Sequence, residues 1–125
     1  MDGVVTFLLT QKPDEALAFY RDMLGLRFAG DDGSALVFDM DGAMLRISRV
    51  PEFSPAQHTV LGWKTHDIRA EVARLTAKGA RFELYPNMGQ DELGICTFPT
   101  GDRVAWLKDP DGNLLSLSQF SNTER

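Results

Sequence analysis

Asp41-Gly42-Ala43-Met44-Leu45-Arg46-Ile47-Ser48 returns later in the chain as Asp111-Gly112-Asn113-Leu114-Leu115-Ser116-Leu117-Ser118. In both copies an Asp-Gly turn leads into an alternating strand. Leu45 and Ile47 fall on one side, and Met44, Arg46 and Ser48 on the other. Leu115 and Leu117 likewise oppose Leu114, Ser116 and Ser118. A second match precedes each copy: Gly25-Leu26-Arg27-Phe28 lines up with Gly79-Ala80-Arg81-Phe82. Matched residues in matched order mark two copies of one module.

The flanking sequence fills in the modules. Val4–Leu9 is apolar and β-branched, which predicts a mostly buried strand. Pro13, Asp14 and Glu15 suit the start of a helix, and Gly25 suits its end, so a helix is expected over Asp14–Leu24 with Leu17, Tyr20 and Leu24 as its stripe. Leu26–Ala29, Ala35–Asp39 and Ala43–Arg49 read as a meander, punctuated by Asp31-Asp32-Gly33 and Asp41-Gly42. Thr59–Thr65 reads as the next strand. Asp67 is a plausible N-cap for a helix with Ile68, Val72 and Leu75 on one face, closed by Lys78 and Gly79. Arg81–Leu84, Gly94–Phe98, Arg103–Lys108 and Asn113–Gln119 are further strand segments, with a polar loop over Tyr85–Gly94. Asp109-Pro110-Asp111-Gly112 has the residues of a type I turn.

The expected class is therefore α+β: two βαβββ modules forming one domain. Module one covers residues 1–50, an irregular linker 51–57, and module two 58–120. Neither module can bury its sheet alone. Pairing the sheets with the helices outside resolves that.

Composition narrows the function classes. The chain has 125 residues and a net charge of −5, from 13 basic and 18 acidic side chains, which disfavours nucleic acid as a partner. One cysteine, Cys96, allows no intrachain disulfide and no thiolate zinc cluster. No apolar run approaches the roughly 20 residues of a membrane span, and Met1–Thr10 lacks the features of a signal peptide. A cytoplasmic location is the default expectation.

Three segments carry a family resemblance: Ala16-Leu17-Ala18-Phe19-Tyr20-Arg21-Asp22-Met23-Leu24-Gly25-Leu26, Leu61-Gly62-Trp63 leading through Asp67-Ile68 to Ala77-Lys78-Gly79, and Lys108-Asp109-Pro110-Asp111-Gly112-Asn113-Leu114-Leu115-Ser116-Leu117. They resemble the vicinal oxygen chelate superfamily, which includes glyoxalase I, extradiol dioxygenases and the bleomycin- and fosfomycin-resistance proteins. The resemblance implies a cupped sheet, a homodimer, and in the metal-dependent members four ligand positions held by His, Glu or Gln. Carried over, those positions are Val5, Arg46, Leu61 and Ser116. None is a competent ligand, and an arginine repels a cation, so no metal and no cofactor are expected.

By parity, Phe7 goes with Val5 and Trp63 with Leu61, and Trp106 lies on the neighbouring strand of module two. An apolar cleft lined by Phe7, Trp63, Trp106 and Ser116 is predicted, with Arg46 as one fixed positive charge for a carboxylate. The bland alternatives are a solvated or salt-bridged Arg46, tryptophans in the core or an interface, and an ordinary strand serine at 116. His66 is read as solvent-facing, His58 as a loop-border residue without a role, and Cys96 as a small, partly buried residue. Asp109, Asp111 and Asn113 mimic a calcium loop, but Leu114 stands where its glycine belongs and Phe120 where its closing glutamate belongs. Tyr85–Gly94 is either a lid or a connection.

Three functional readings follow. The first is a metal-free binder of a small, partly apolar molecule. The second is an enzyme (lyase, isomerase or dioxygenase-like) with displaced or non-metal chemistry, in which Arg46 stabilises an anion and Asp91 or Glu92 acts as base. The third is a structural or partner-binding module.

Overall fold

The structure is a computed structural model and describes residues 1–122. The chain divides into two compact units, one of Met1–Pro55 with Asp109–Asn113, the other of Ala56–Lys108 with the segment that starts at Leu114.

In the first unit, β1 (Val5–Thr10) is followed by α1 (Pro13–Leu17), a π-helical turn (Ala18–Met23), β2 (Arg27–Asp31), β3 (Ala35–Met40) and β4 (Ala43–Arg49). The sheet order is β1-β4-β3-β2, with β1 parallel to β4 and the rest antiparallel. Asp41 and Gly42 both take positive φ, 54° and 94°, as a two-residue hairpin with inverted turn geometry requires, and Met40 pairs with Ala43 around them. Leu8, Leu36, Phe38, Leu45 and Ile47 are buried. Each side chain fully removed from water contributes about 1.5–3 kcal/mol.

The expected single helix over Asp14–Leu24 is instead a short α-turn that widens into a π-turn, with Leu24 N donating to Phe19 O. The widening accompanies burial of two consecutive aromatics, Phe19 and Tyr20, which a simple α-helical stripe would separate. Leu17 and Leu24 are only half-buried; Ala16, Phe19 and Tyr20 form the packed face. The Tyr20 ring lies 5.0 Å from Phe19 and 5.9 Å from Phe38.

The second unit contains β5 (Leu61–Lys64), α2 (Ile68–Ala77), β6 (Cys96–Thr97), β7 (Arg103–Lys108) and β8 (Leu114–Gln119), in the order β5-β8-β7-β6. Asp67 caps α2 by accepting from Ala70 N at 3.1 Å, and Ile68, Val72 and Leu75 are buried on the helix. Both features match the sequence reading. No described helix is long and apolar enough to cross a membrane.

Two expected strands are nearly absent. Arg81–Leu84 contributes one bridge, Phe82 to Leu107, and Gly94–Phe98 shrinks to Cys96–Thr97. The cause is the segment between them. Asn87, Gly89 and Gly94 take φ of 63°, 63° and 87°, in the left-handed region that interrupts regular strand pairing. Gln90 then fixes the loop: its Oε1 accepts from Tyr85 N at 2.7 Å, and its Nε2 donates to Glu83 O and Gly94 O at 2.8 Å.

The first unit holds the most polar buried cluster. Asp109 is buried, and its carboxylate accepts four hydrogen bonds: Asp111 N and Asn113 N at 2.9 Å, Asn113 Nδ2 at 2.8 Å and Tyr20 Oη at 2.7 Å. Asn113 Nδ2 also donates to Leu9 O at 3.1 Å, and Asp111 accepts from Thr10 Oγ1 and Gln11 N. Burial, reinforced by the neighbouring Asp109 charge, pushes the Tyr20 hydroxyl far above its ordinary value. A raised folded-state value means that the stability Tyr20 contributes is whole below pH about 10 and lost as pH climbs above it. Removing the hydroxyl leaves a buried carboxylate short of a donor. Tyr20→Phe should therefore lower the unfolding free energy by about 1–3 kcal/mol in urea melts. Tyrosinate absorbance from Tyr20 should appear only as the wild-type protein unfolds in alkali.

Candidate functional site

Each sheet has one face under its helix and one open face, and strand register decides which residues share a face. In the first unit Val5, Phe7 and Leu9 stand beside Met44, Arg46 and Ser48 on β4. Val37 and Asp39 on β3 continue the surface, opposite Arg46 and Met44. This face is apolar and open: Phe7 is 63% exposed, Val5 46% and Met44 41%. Arg46 stands in its middle, between Phe7 and Val37, as the expected alternation of Leu45 and Ile47 against Arg46 requires.

Arg46 is ion-paired. Its Nη2 lies 2.7 Å from Asp32 Oδ2, and the arginine side chain is 27% exposed. Asp32 is itself fixed, because its Oδ1 accepts from Ser34 N, Ala35 N and Ser34 Oγ. The Arg46 hydrogen bond, followed by these backbone donors, holds the Asp32 carboxyl down at about 2. Beside it, Arg49 pairs with Asp31 through two nitrogens, and that contact also lowers Asp31 to about 2. The bland alternative weighed for Arg46, a salt-bridged strand arginine, describes this contact.

The second unit departs from the expected faces. Leu61 pairs with Leu115 and Trp63 with Leu117, while Gly62 pairs with Ser116. Leu61 and Trp63 thus lie on the face of Leu115, Leu117, Ala105 and Leu107, beneath α2, and not with Ser116. Trp63 is not brought together with Trp106 and Ser116. The counterpart of Phe7 is Gly62, since Phe7 stands beside Arg46 as Gly62 stands beside Ser116. The misreading has a physical cause. Val60, Leu61 and Trp63 are all apolar, so composition cannot fix the parity of this short strand; the pairing does.

Trp106 and Ser116 do share the open face, directly opposite each other on β7 and β8. Ser116 is buried and Trp106 half-buried, with the Tyr85 ring edge-on to it at 5.7 Å. A Cβ on Gly62 would lie 2.4 Å from Ser116 Oγ. The open face of this unit is therefore a floor of small residues flanked by two aromatic rings, a feature visible in Gly62 only once the register is known.

The loop Tyr85–Gly94 is tied at both ends by Gln90. Its acidic residues are also engaged: Arg69 on α2 reaches Asp91 at 3.3 Å and Glu92 at 3.2 Å, and Asp91 Oδ1 accepts from Leu93 N and Ile95 N. This describes a fixed connection more than a lid. His66 is exposed, as expected, and so is His58; Cys96 is more deeply buried than expected, with Sγ donating to Met88 O.

With this geometry in place, comparison with known proteins is decisive for the family. Residues 4–118 match the glyoxalase-like domain model. The chain belongs to the glyoxalase-like family, and so to the vicinal oxygen chelate superfamily. Solved structures with this fold include a lactoylglutathione lyase from Agrobacterium tumefaciens (22% identity, 93% of this chain and 91% of that one, TM-score 0.69). They also include a glyoxalase/bleomycin resistance protein/dioxygenase from Alicyclobacillus acidocaldarius (19%, 98% and 94%, 0.71). A third is TnmS3, an antibiotic binding protein from Streptomyces sp. CB03234 (22%, 97% and 97%, 0.71). No curated protein matches by sequence.

The metal of the metal-dependent members does not fit this glyoxalase-like chain. β1, β4, β5 and β8 contain no Asp, Glu, His or Cys. Gln119, at the end of β8, is of ligand type, but its Oε1 accepts from Ile68 N at the start of α2. Where the register sets Phe7 beside Arg46 and Gly62 beside Ser116, the groups offered are a phenyl ring, a guanidinium, a hydrogen atom and a hydroxyl.

Two outcomes follow. Gly62→Ala should cost about 1 kcal/mol or more in chemical denaturation, because it crowds a buried hydroxyl, and Ser116→Ala in the same chain should restore most of it. Separately, carboxyl titration by NMR should find Asp32 ionising near 2, and Arg46→Met should move it up towards the usual value of about 3.9. Because the folded-state value is depressed, the contribution of this pair is present above that ordinary value and lost as pH falls towards 2.

Proposed function

We propose that this glyoxalase-like protein binds a small, partly apolar organic molecule on the open faces of its sheets, without a divalent metal. One observation carries the reading: an exposed apolar surface surrounds a fixed guanidinium, with Phe7 63% exposed beside Arg46. Soluble domains seldom leave such a surface unused. On the first sheet Phe7 is the stacking group and Arg46 the polar anchor; on the second, taken by itself, Trp106 is the stacking group and Ser116 a small floor residue. Trp63, now under α2, serves packing in this reading. The likeness in fold to an antibiotic binding protein is consistent with it. The protein acts in the cytoplasm as a homodimer in this proposal, the latter resting on the family resemblance.

An enzyme is the second reading, favoured by the likeness in fold to a lactoylglutathione lyase. It ranks lower because Asp91 and Glu92, the carboxylates first considered as a base, are both paired to Arg69. A turnover assay with thiohemiacetal and catechol substrates separates the two readings.

Trp106 supplies the reporter for binding. In a fluorescence screen of flat aromatic compounds, at least one should quench the intrinsic emission saturably, and Trp106→Phe should remove most of that response. If no compound quenches and none raises the melting temperature, the binding reading fails.

A further inference from the structure

We infer that the open face of the first sheet takes a flat, apolar anion, its ring against Phe7 and its carboxylate or sulfonate on Arg46, with Asp32 as the positioning residue. This rests on the binding reading above and names the ligand class for one of its faces.

The argument starts from what surrounds Arg46. Phe7 stands beside it on β1 and Val37 on β3, each one strand spacing away, about 4.8 Å. Met44 and Ser48 flank it along β4. A guanidinium set among apolar groups attracts a ligand that is apolar in its body and negative at one edge. A planar ring with an acid group meets both demands, the ring covering the exposed phenyl of Phe7 and the acid reaching the arginine.

Asp32 decides how the arginine is presented. It contacts the guanidinium through Nη2 alone. Nε and Nη1 have no protein partner among the described residues. Three donors of its own turn immobilise Asp32, so the long arginine side chain is held before any ligand arrives. Ordering that side chain is a cost that binding would otherwise bear. Nε and Nη1 lie on different edges of the guanidinium, and each keeps a charged N–H that can donate to an acid group. The negative charge of Asp32 lies beyond the guanidinium and in contact with solvent, where water and salt screen its repulsion of the ligand. Preorganisation therefore outweighs repulsion.

The test uses two probes of similar ring size: 8-anilinonaphthalene-1-sulfonate, an anion, and N-phenyl-1-naphthylamine, which is neutral. Titrations are followed by probe fluorescence with the full chain. The wild-type protein should bind the anion at least fivefold more tightly. Arg46→Met should weaken the anion tenfold or more and leave the neutral probe within twofold, and Arg46→Lys should recover part of the loss. Asp32→Asn should weaken the anion about threefold in the wild-type background and have no effect in Arg46→Met, a dependence that a merely structural role would not produce. Equal loss of both probes in Arg46→Met, or tighter anion binding in Asp32→Asn, overturns the inference. So does loss of binding as protein concentration rises through dimer formation, which would assign the face to a second copy. Failure of both probes on the wild-type protein would instead count against the binding reading itself.

Discussion

The buried carboxylate of Asp109 is the constraint on which the first unit depends. A carboxylate removed from water is unfavourable unless its oxygens are matched by donors. Here four donors converge on it, two from the backbone of its own turn, one from Asn113 and one from the Tyr20 hydroxyl. Those contacts place a turn from late in the chain against α1's π-helical continuation and, through Asn113, against the backbone of β1. β1 in turn pairs with β4. The strands that carry Phe7 and Arg46 are thereby set by a polar network on the opposite side of the sheet from the open face.

That arrangement explains why the open face can be so apolar. The packing of Leu45, Ile47 and Phe38 lies beneath the helix, and the polar clasp supplies local specificity there. The open face is not needed to hold the first sheet together. It is left with exposed apolar groups, Arg46 held by Asp32, and Asp39 at its β3 side, 3.8 Å from Arg27.

Much of this was legible in the residues. The Asp41-Gly42 turn, the Asp67 cap and the Ile68-Val72-Leu75 stripe are local signals, and local signals survive folding. The α+β class and the two βαβββ modules followed from the repeated residues, and the alternation through Leu45, Arg46 and Ile47 placed Arg46 correctly. The failures share a cause: each depended on partners distant in sequence. The parity of β5 is set by β8, so Leu61 and Trp63 were assigned to the wrong face. The π-turn answers to the burial of both Phe19 and Tyr20. Asp109 and Asp32 do sit in the turns their sequence predicts; what the sequence does not show is the tertiary contact each adds, Asp109 to Tyr20 and Asp32 to Arg46.

The glyoxalase-like family is best known for chemistry at a divalent metal. In this chain the strands that would supply ligands offer Phe7, Arg46, Gly62 and Ser116, and the guanidinium among them repels a cation. The most direct test of that claim is calorimetric titration of the protein, purified without chelator, with zinc, nickel and manganese. The account predicts no stoichiometric binding of any of them up to millimolar concentration. One ion bound per chain with micromolar affinity, and lost in a variant altered on β1, β4, β5 or β8, would contradict it.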